Sequence, residues 1–149
     1  VVYPGSCHVH EEFSTERIAE LKKKYPNAKL IAHPECEKTI LIMADHVGST
    51  SSLLKFTQDD DASQYIVATE SGIIHQMKKQ NPEKHFIVAP PKDSTCGCID
   101  CNYMKLITMG KIYNSLKYEW PTVELDQETI QLAKKPINKM LEISRKLGL

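Results

Sequence analysis

The chain has 149 residues, which is enough for one domain with a hydrophobic core of its own. Its 19 basic residues balance its 19 acidic residues, so charge favours neither nucleic acid nor an anionic membrane surface as a partner. The apolar runs are far too short to cross a bilayer, and five unevenly spaced cysteines fit a secreted disulfide framework poorly. We therefore expect a cytoplasmic protein with reduced thiols that binds neither nucleic acid nor membrane.

Local sequence patterns predict an alternation of strands and helices. The short apolar run at residues 1–3 is typical of the end of a buried strand. Ser14 is predicted to cap one helix and Asp126 to cap the last, which Pro136 is expected to kink or split in two. The predicted strands are residues 29–32, 65–68 and 85–89. The predicted helices are residues 14–25, 37–44, 73–80, 103–116 and 126–147, and a further helix is predicted to open at residues 48–51. A turn is predicted at residues 45–48.

Strands that alternate with helices predict an α/β protein built of three-layer αβα units with short parallel sheets. In such sheets ligands bind beyond the carboxyl ends of the strands, which all meet at one edge. Residues able to do chemistry follow each predicted strand. They are Cys7 and His10, His33 and Glu35, Thr69 and Glu70, and the cysteine-rich stretch at residues 94–105. We therefore expect these residues, which are far apart in sequence, to converge at one edge of the sheet.

Three of the five cysteines, Cys96, Cys98 and Cys101, fall within six residues. Such a cluster is typical of a metal site, an iron–sulfur site or a redox disulfide. The spacing of Cys98 and Cys101 lets two thiolates reach one ion or pair with each other. A zinc site needs two further ligands, which Cys7 and His10 offer as a CxxH unit. A zinc-binding or thiol-redox module without catalysis is therefore one interpretation of the chain.

The other candidate residues each allow two interpretations. Cys7 fits either a ligand or a small buried apolar side chain, and packing is the favoured role for Cys36. His33 and Glu35 flank a proline, which suits acid/base chemistry or substrate binding, but also an ordinary surface loop.

Residues 48–51 (GSTS) open a predicted helix, so their N–H groups and hydroxyls predict either an anion seat or an ordinary cap. Asp59–Asp61 are interpreted as a solvated turn, because a calcium loop needs more ligands. The remaining histidines lack such surroundings, and we expect them to be structural or solvated. They are His8, His46, His75 and His85.

Five segments form an ordered set of motifs. They are residues 5–13 (GSCHVHEEF), 32–36 (AHPEC), 44–51 (ADHVGSTS), 66–79 (IVATESGIIHQMKK) and 98–108 (CIDCNYMKLIT). Together these segments resemble the quinolinate synthase family, and specifically the C-terminal half of that enzyme. The resemblance runs through nearly the whole chain with consistent spacing, which makes it far more specific than any one motif.

The resemblance implies a transferase of NAD and pyridine nucleotide biosynthesis that condenses iminoaspartate with dihydroxyacetone phosphate to form quinolinate. It implies three similar α/β domains around a central site, each of which gives one cysteine to a [4Fe–4S] cluster. The fourth iron has no protein ligand and acts as a Lewis acid. In this chain, residues 1–13 would end one domain, residues 14–95 would form the next with its HPE and GSTS motifs, and residues 96–149 would hold the cysteine loop and the C-terminal helices.

The resemblance also implies roles for individual residues. Cys7 and Cys101 would ligate the cluster. Glu35, His33 and His10 would be catalytic, and the substrate would be bound by His33, Glu35, Ser49 and Thr50. The family's first cluster cysteine has no counterpart here, so we expect a fragment that is inactive alone. Its expected partner is the N-terminal half of the same enzyme, and a homodimer is left open. The CxxC spacing adds the hypothesis that Cys98 and Cys101 form a regulatory disulfide.

Overall fold

The computed structural model describes Gly5, residues 7–93 and residues 100–148. These residues divide into two compact units, one that ends at Leu106 and one that begins at Ile107. The strand expected at residues 1–3 lies outside the described residues. The domain boundaries expected after residues 13 and 95 stay predictions.

The first unit alternates helices and strands in the predicted order, except for a helix at residues 8–11 and a strand at residues 46–47 that were not predicted. Its elements are α1 (His8–Glu11), α2 (Thr15–Lys24), β1 (Lys29–Ala32), α3 (Lys38–Met43), β2 (His46–Val47), α4 (Thr50–Asp59), β3 (Gln64–Ala68), α5 (Ile73–Gln80), β4 (His85–Val88) and α6 (Asn102–Lys105). The prediction of a plain turn at residues 45–48 is wrong, because β2 lies there. A strand of two residues is too short to show an alternating pattern, and it exists only through its pairing with β1.

The four strands form one parallel sheet with the order β2-β1-β3-β4. The chain leaves β1 for β2 on one side and then crosses to β3 on the other side of β1. The direction of winding therefore switches between β1 and β3, and loops leave these two strands in opposite directions. This arrangement confirms the predicted α/β fold with a parallel sheet.

Both faces of the sheet are covered by helices, because the buried strand residues alternate between two apolar clusters. Leu30 of β1 packs in a cluster with Ile18 of α2 and Ile40 of α3. Its neighbour Ile31 packs in the other cluster with Leu53 of α4, together with residues of α5. These layers of helix, sheet and helix confirm the three-layer αβα architecture.

The second unit consists of α7 (Met109–Tyr118) and α8 (Gln127–Leu147). The prediction of one helix over residues 103–116 is wrong, because α6 ends first and the Thr108 hydroxyl caps α7 by accepting the Lys111 N–H at 3.3 Å. Asp126 caps α8 as predicted, and α8 continues through Pro136 without being split. Among the helices that the structure describes, none combines the length and the apolar content of a membrane span.

Candidate functional site

The candidate site lies at the carboxyl ends of β1 and β3, where the winding of the sheet switches direction. The His33 N–H donates to the Ala68 carbonyl at 3.0 Å, which continues the pairing beyond β1 and brings His33 beside Thr69. Open α/β sheets bind ligands at this position, because the diverging loops leave a crevice there. The predicted convergence of these strand ends is therefore present.

His10 connects three segments of the chain at this edge. Its Nδ1 lies 3.1 Å from Glu35 Oε2, and its Nε2 lies 3.1 Å from Thr69 Oγ1. His10 is 7% exposed and Thr69 is fully buried, so water does not replace the Thr69 hydroxyl as the partner of Nε2. One imidazole thus joins α1, the loop after β1 and the loop after β3.

Helix α1 has only four residues, and the chain that follows it is held against the segment after β4. Phe13 is fully buried and forms an antiparallel bridge with Pro91. The Ser14 N–H donates to the Pro90 carbonyl at 3.0 Å, and the Lys92 N–H donates to the Glu12 carbonyl at 2.6 Å. These two hydrogen bonds form the bridge, and we call them the strand-exit clamp. Because so short a helix is unstable alone, the clamp and the buried Phe13 fix the position of His10.

The HPE motif at residues 33–35 places the Glu35 carboxylate beside the imidazoles of His33 and His10. The rings of His10 and His33 are stacked, with centroids 4.2 Å apart and planes within 10°. Glu35 Oε2 lies 3.1 Å from His10 Nδ1 and 3.8 Å from His33 Nδ1. The Glu35 side chain is 47% exposed, so a molecule from solvent has access to its carboxylate. The set can accept a proton, donate one, and bind a polar ligand.

Burial lowers the pKa of His10, and the positive charge that His33 can carry lowers it further. The hydrogen bond and the negative charge of Glu35 act in the opposite direction and only partly offset these effects. His10 is therefore neutral near pH 7, with one ring nitrogen able to donate and the other able to accept.

The two cysteines that the resemblance marks as cluster ligands lie on adjacent segments. Cys7 immediately precedes α1 and Cys101 immediately precedes α6, and both are free, half-buried thiols. The rings of His8 and Tyr103 meet edge to face with centroids 5.7 Å apart, so α1 and α6 are in contact. Cys7 also belongs to a compact donor set, since its Sγ, a His10 ring nitrogen and a Glu35 oxygen lie within 4.8 Å of one another.

The other two cysteines of the cluster, Cys96 and Cys98, lie outside the described residues. The zinc-binding or thiol-redox interpretation and the Cys98–Cys101 disulfide therefore stay predictions.

The turn after β3 holds the segment that carries Cys101. Glu70 Oε2 accepts the Gly72 N–H at 2.8 Å, and Glu70 Oε1 accepts the Cys101 N–H at 3.5 Å. The Ser71 hydroxyl donates to Asp100, and this hydrogen bond lowers the pKa of the Asp100 carboxyl. Together with the Thr69 contact to His10, these bonds make the turn a common support for the histidine and the cysteine.

The sequence placed Thr69 and Glu70 at a strand end and indicated for residues 69–72 only a weaker anion seat or cap than at residues 48–51, without predicting their contacts with His10 and Cys101. The signal that pointed to them was their position directly after β3.

The remaining predicted residues lie in or directly after β2, the strand that pairs with β1. Ser49 and Thr50 are exposed and follow β2 at the outer edge of the sheet, where Ser49 Oγ caps α4 by accepting the Ser52 N–H at 3.3 Å. His46 is structural as predicted, because it stacks on Phe56 at 4.3 Å.

Cys36 has the packing role that was predicted for it. It is 5% exposed, and its S–H donates to the Ala68 carbonyl at 3.3 Å. Burial raises the pKa of this thiol to about 12, so Cys36 is protonated near pH 7.

Comparison with known proteins identifies the family of this chain. The family model described as quinolinate synthetase A protein matches residues 1–142. The chain is 50% identical over 144 residues to the quinolinate synthase of Thermosynechococcus vestitus and 49% identical over 144 residues to that of Cyanophora paradoxa. These alignments cover 97% of this chain but only 45% and 44% of the two relatives, so the chain spans less than half of their length. The chain belongs to the quinolinate synthase family.

Proposed function

We propose that this chain is the part of a quinolinate synthase that supplies two cluster cysteines and the acid/base residues for forming quinolinate from iminoaspartate and dihydroxyacetone phosphate. The observation that carries the proposal is the Glu35 carboxylate between His10 and His33, beside Cys7, at the switch point of the sheet. Membership of the quinolinate synthase family supports this reaction, and the geometry supplies groups that suit it.

Cys7 and Cys101 fit the role of cluster ligands. Iron–sulfur clusters are held by cysteine thiolates, and these two are free, half-buried and carried by touching segments. The third thiolate would come from an N-terminal part of the same enzyme outside these 149 residues, which span less than half of the length of the relatives. When bound, the cluster supplies an open iron position that polarises the substrate as a Lewis acid.

Glu35 is the proposed acid/base residue. Condensation and the dehydrations that follow require protons to be removed and returned at substrate atoms, and a half-exposed carboxylate can do both. The hydrogen bond from His10 Nδ1 orients the carboxylate, and Thr69 in turn orients His10. His33 is less buried than His10, with a side chain that is 20% exposed, so its ring edge can bind a substrate oxygen.

Ser49 and Thr50 are the proposed anion contacts. They are exposed at the start of α4, a helix of ten residues whose first N–H groups have no partner within the helix. The Ser49 Oγ already caps the helix, which leaves the Thr50 hydroxyl and the backbone N–H groups for a substrate carboxylate or phosphate.

A chimera tests this proposal. The chain is fused behind the N-terminal segment of the Thermosynechococcus vestitus relative and reconstituted with iron and sulfide without oxygen. We expect about four irons and four sulfides per chimera, and quinolinate formation detected by chromatography. The isolated chain should hold no such cluster.

Substitutions separate the proposed roles. Cys101→Ser should remove both the cluster and the activity, whereas Glu35→Gln should keep the iron content and lower turnover at least about 100-fold. Cys36→Ser is the matched control and should retain both, because that thiol only packs. A fully loaded Cys101→Ser chimera, or an active Glu35→Gln chimera, contradicts the proposal.

A further inference from the structure

We propose that Cys7, His10 and Glu35 form a site for a single divalent metal ion, with Zn²⁺ as the ion of best fit. This site holds one metal ion through a thiolate, an imidazole and a carboxylate, whereas the iron–sulfur cluster of the proposed function is held by cysteines alone. It is complete within this chain and needs no residue from the N-terminal part of the enzyme.

The spacing of the donor atoms fits a tetrahedral ion. Zinc bonds of about 2.0–2.3 Å to nitrogen, oxygen and sulfur place neighbouring donors about 3.3–3.6 Å apart. His10 Nδ1 and Glu35 Oε2 lie 3.1 Å apart, and all three donors lie within 4.8 Å of one another. Cys7 Sγ therefore needs to move by only about 1 Å to complete the triangle, which a thiol at the start of a short helix can do.

Thr69 provides the support that a metal-binding histidine requires. Ligating histidines bind a partner through their second ring nitrogen, which fixes the ring orientation. When His10 Nδ1 binds the ion, Nε2 must carry the ring proton, and it lies 3.1 Å from the fully buried Thr69 Oγ1. This contact is independent of the three donors and holds the imidazole in the orientation that coordination needs.

The charge and the chemistry of the donors select the class of ion. A thiolate and a carboxylate together balance the charge of a divalent ion, and the imidazole is neutral. Sulfur and nitrogen donors favour Zn²⁺ and similar transition metals over Mg²⁺ and Ca²⁺, which prefer oxygen. Three protein donors leave a fourth position for water or a small ligand, and the half-exposed Glu35 gives the ion access from solvent.

The ion and the cluster would compete for one atom. Cys7 is the proposed cluster ligand and also the sulfur donor of this site, so zinc bound here occupies a thiolate that cluster assembly needs. We expect Zn²⁺ added before iron and sulfide to reduce cluster loading of the chimera in proportion to its occupancy.

The test uses the 149-residue chain with Cys96→Ser, Cys98→Ser and Cys101→Ser combined, so that the cysteine loop cannot compete for the metal. We call this variant the loop-silenced chain. It is titrated with Co²⁺ under reducing, oxygen-free conditions, and Zn²⁺ is then used to displace the cobalt. We expect one Co²⁺ per chain, with thiolate-to-cobalt absorption that disappears as Zn²⁺ is added.

Single substitutions in the loop-silenced chain identify the ligands. Cys7→Ser should abolish the thiolate absorption, and Glu35→Gln should weaken binding at least about tenfold. Cys36→Ser should change neither, and far-ultraviolet circular dichroism checks that each variant is folded. Absence of the absorption, or its persistence at unchanged affinity in Glu35→Gln, overturns the inference.

The two proposals fail separately in these experiments. Cobalt binding in the loop-silenced chain does not depend on Cys101, whereas cluster loading of the chimera does. A chimera without a cluster therefore leaves the mononuclear site standing, and a chain without cobalt leaves the cluster standing.

Discussion

Replacing Thr69 with valine tests the contact on which the geometry of His10 depends. The substitution removes the hydroxyl at 3.1 Å from His10 Nε2 and nearly preserves the volume of the side chain. Thr69 is fully buried and His10 is 7% exposed, so the freed nitrogen loses its partner without gaining water. An unsatisfied buried polar group costs about 1–3 kcal/mol, which corresponds to a fall in melting temperature of about 2–12 °C.

The same substitution should weaken metal binding in the loop-silenced chain. Loss of the partner on the second ring nitrogen of a ligating histidine lowers metal affinity by about 10–100-fold. Urea unfolding followed by circular dichroism gives the change in stability, and cobalt titration gives the change in affinity.

Thr69→Ser is the matched control, because it keeps the hydroxyl and loses one methyl group. It should cost about 0.5–1.5 kcal/mol through the small cavity it leaves and should bind cobalt like the parent chain. If Thr69→Val and Thr69→Ser bind cobalt equally well, Thr69 does not orient His10 and the reasoning is refuted.

Two further predictions concern groups outside the site. Asp60 has its pKa lowered to about 2 by its bond to Lys29, so its ionised form stabilises the fold above pH 4 and this contribution is lost as the pH falls towards 2. Urea unfolding should show Asp60→Asn to be less stable than the parent chain by about 1–2 kcal/mol at pH 6 and nearly as stable as the parent at pH 2. The same stability difference at both pH values would rule out the ion pair as the cause. Cys36, with a pKa of about 12, should resist iodoacetamide at pH 8 while the half-buried Cys7 and Cys101 react, and peptide mass spectrometry that finds Cys36 modified at the same rate contradicts the assigned burial.

The sequence predicted the strands and helices that repeat a pattern over several residues. β1 and β3 have the predicted character because each is a continuous apolar run buried on both faces, and α5 because its apolar residues recur at helical spacing. β2 was not predicted because two residues are too few to show a pattern. The break between α6 and α7 was not predicted because it depends on whether Thr108 continues a helix or caps one. Such choices are settled by contacts and not by local preference.

The candidate site was predictable as a set of strand ends, but its internal geometry was not. His33 and Glu35 follow β1, and Cys7 and His10 follow the strand expected at residues 1–3, so the carboxyl-edge rule points to all four. The contact of Thr69 with His10 requires β3 to lie beside β1, although β2 comes between them in the chain. Strand order is a tertiary property, so a pattern confined to each strand cannot reveal it.

The strand-exit clamp has a consequence for the order in which the molecule is made. The segment that carries Cys7 and His10 is held by hydrogen bonds to Pro90 and Lys92, which lie beyond the last strand of the sheet. During synthesis the chain emerges from its N-terminus, so these early residues lack their clamp partners until the segment after β4 has been made. We therefore expect a nascent chain stalled before Pro90 to contain all four strands of the sheet and yet to hold His10 less firmly than the longer chain does. The last step in assembling the site then follows completion of the sheet.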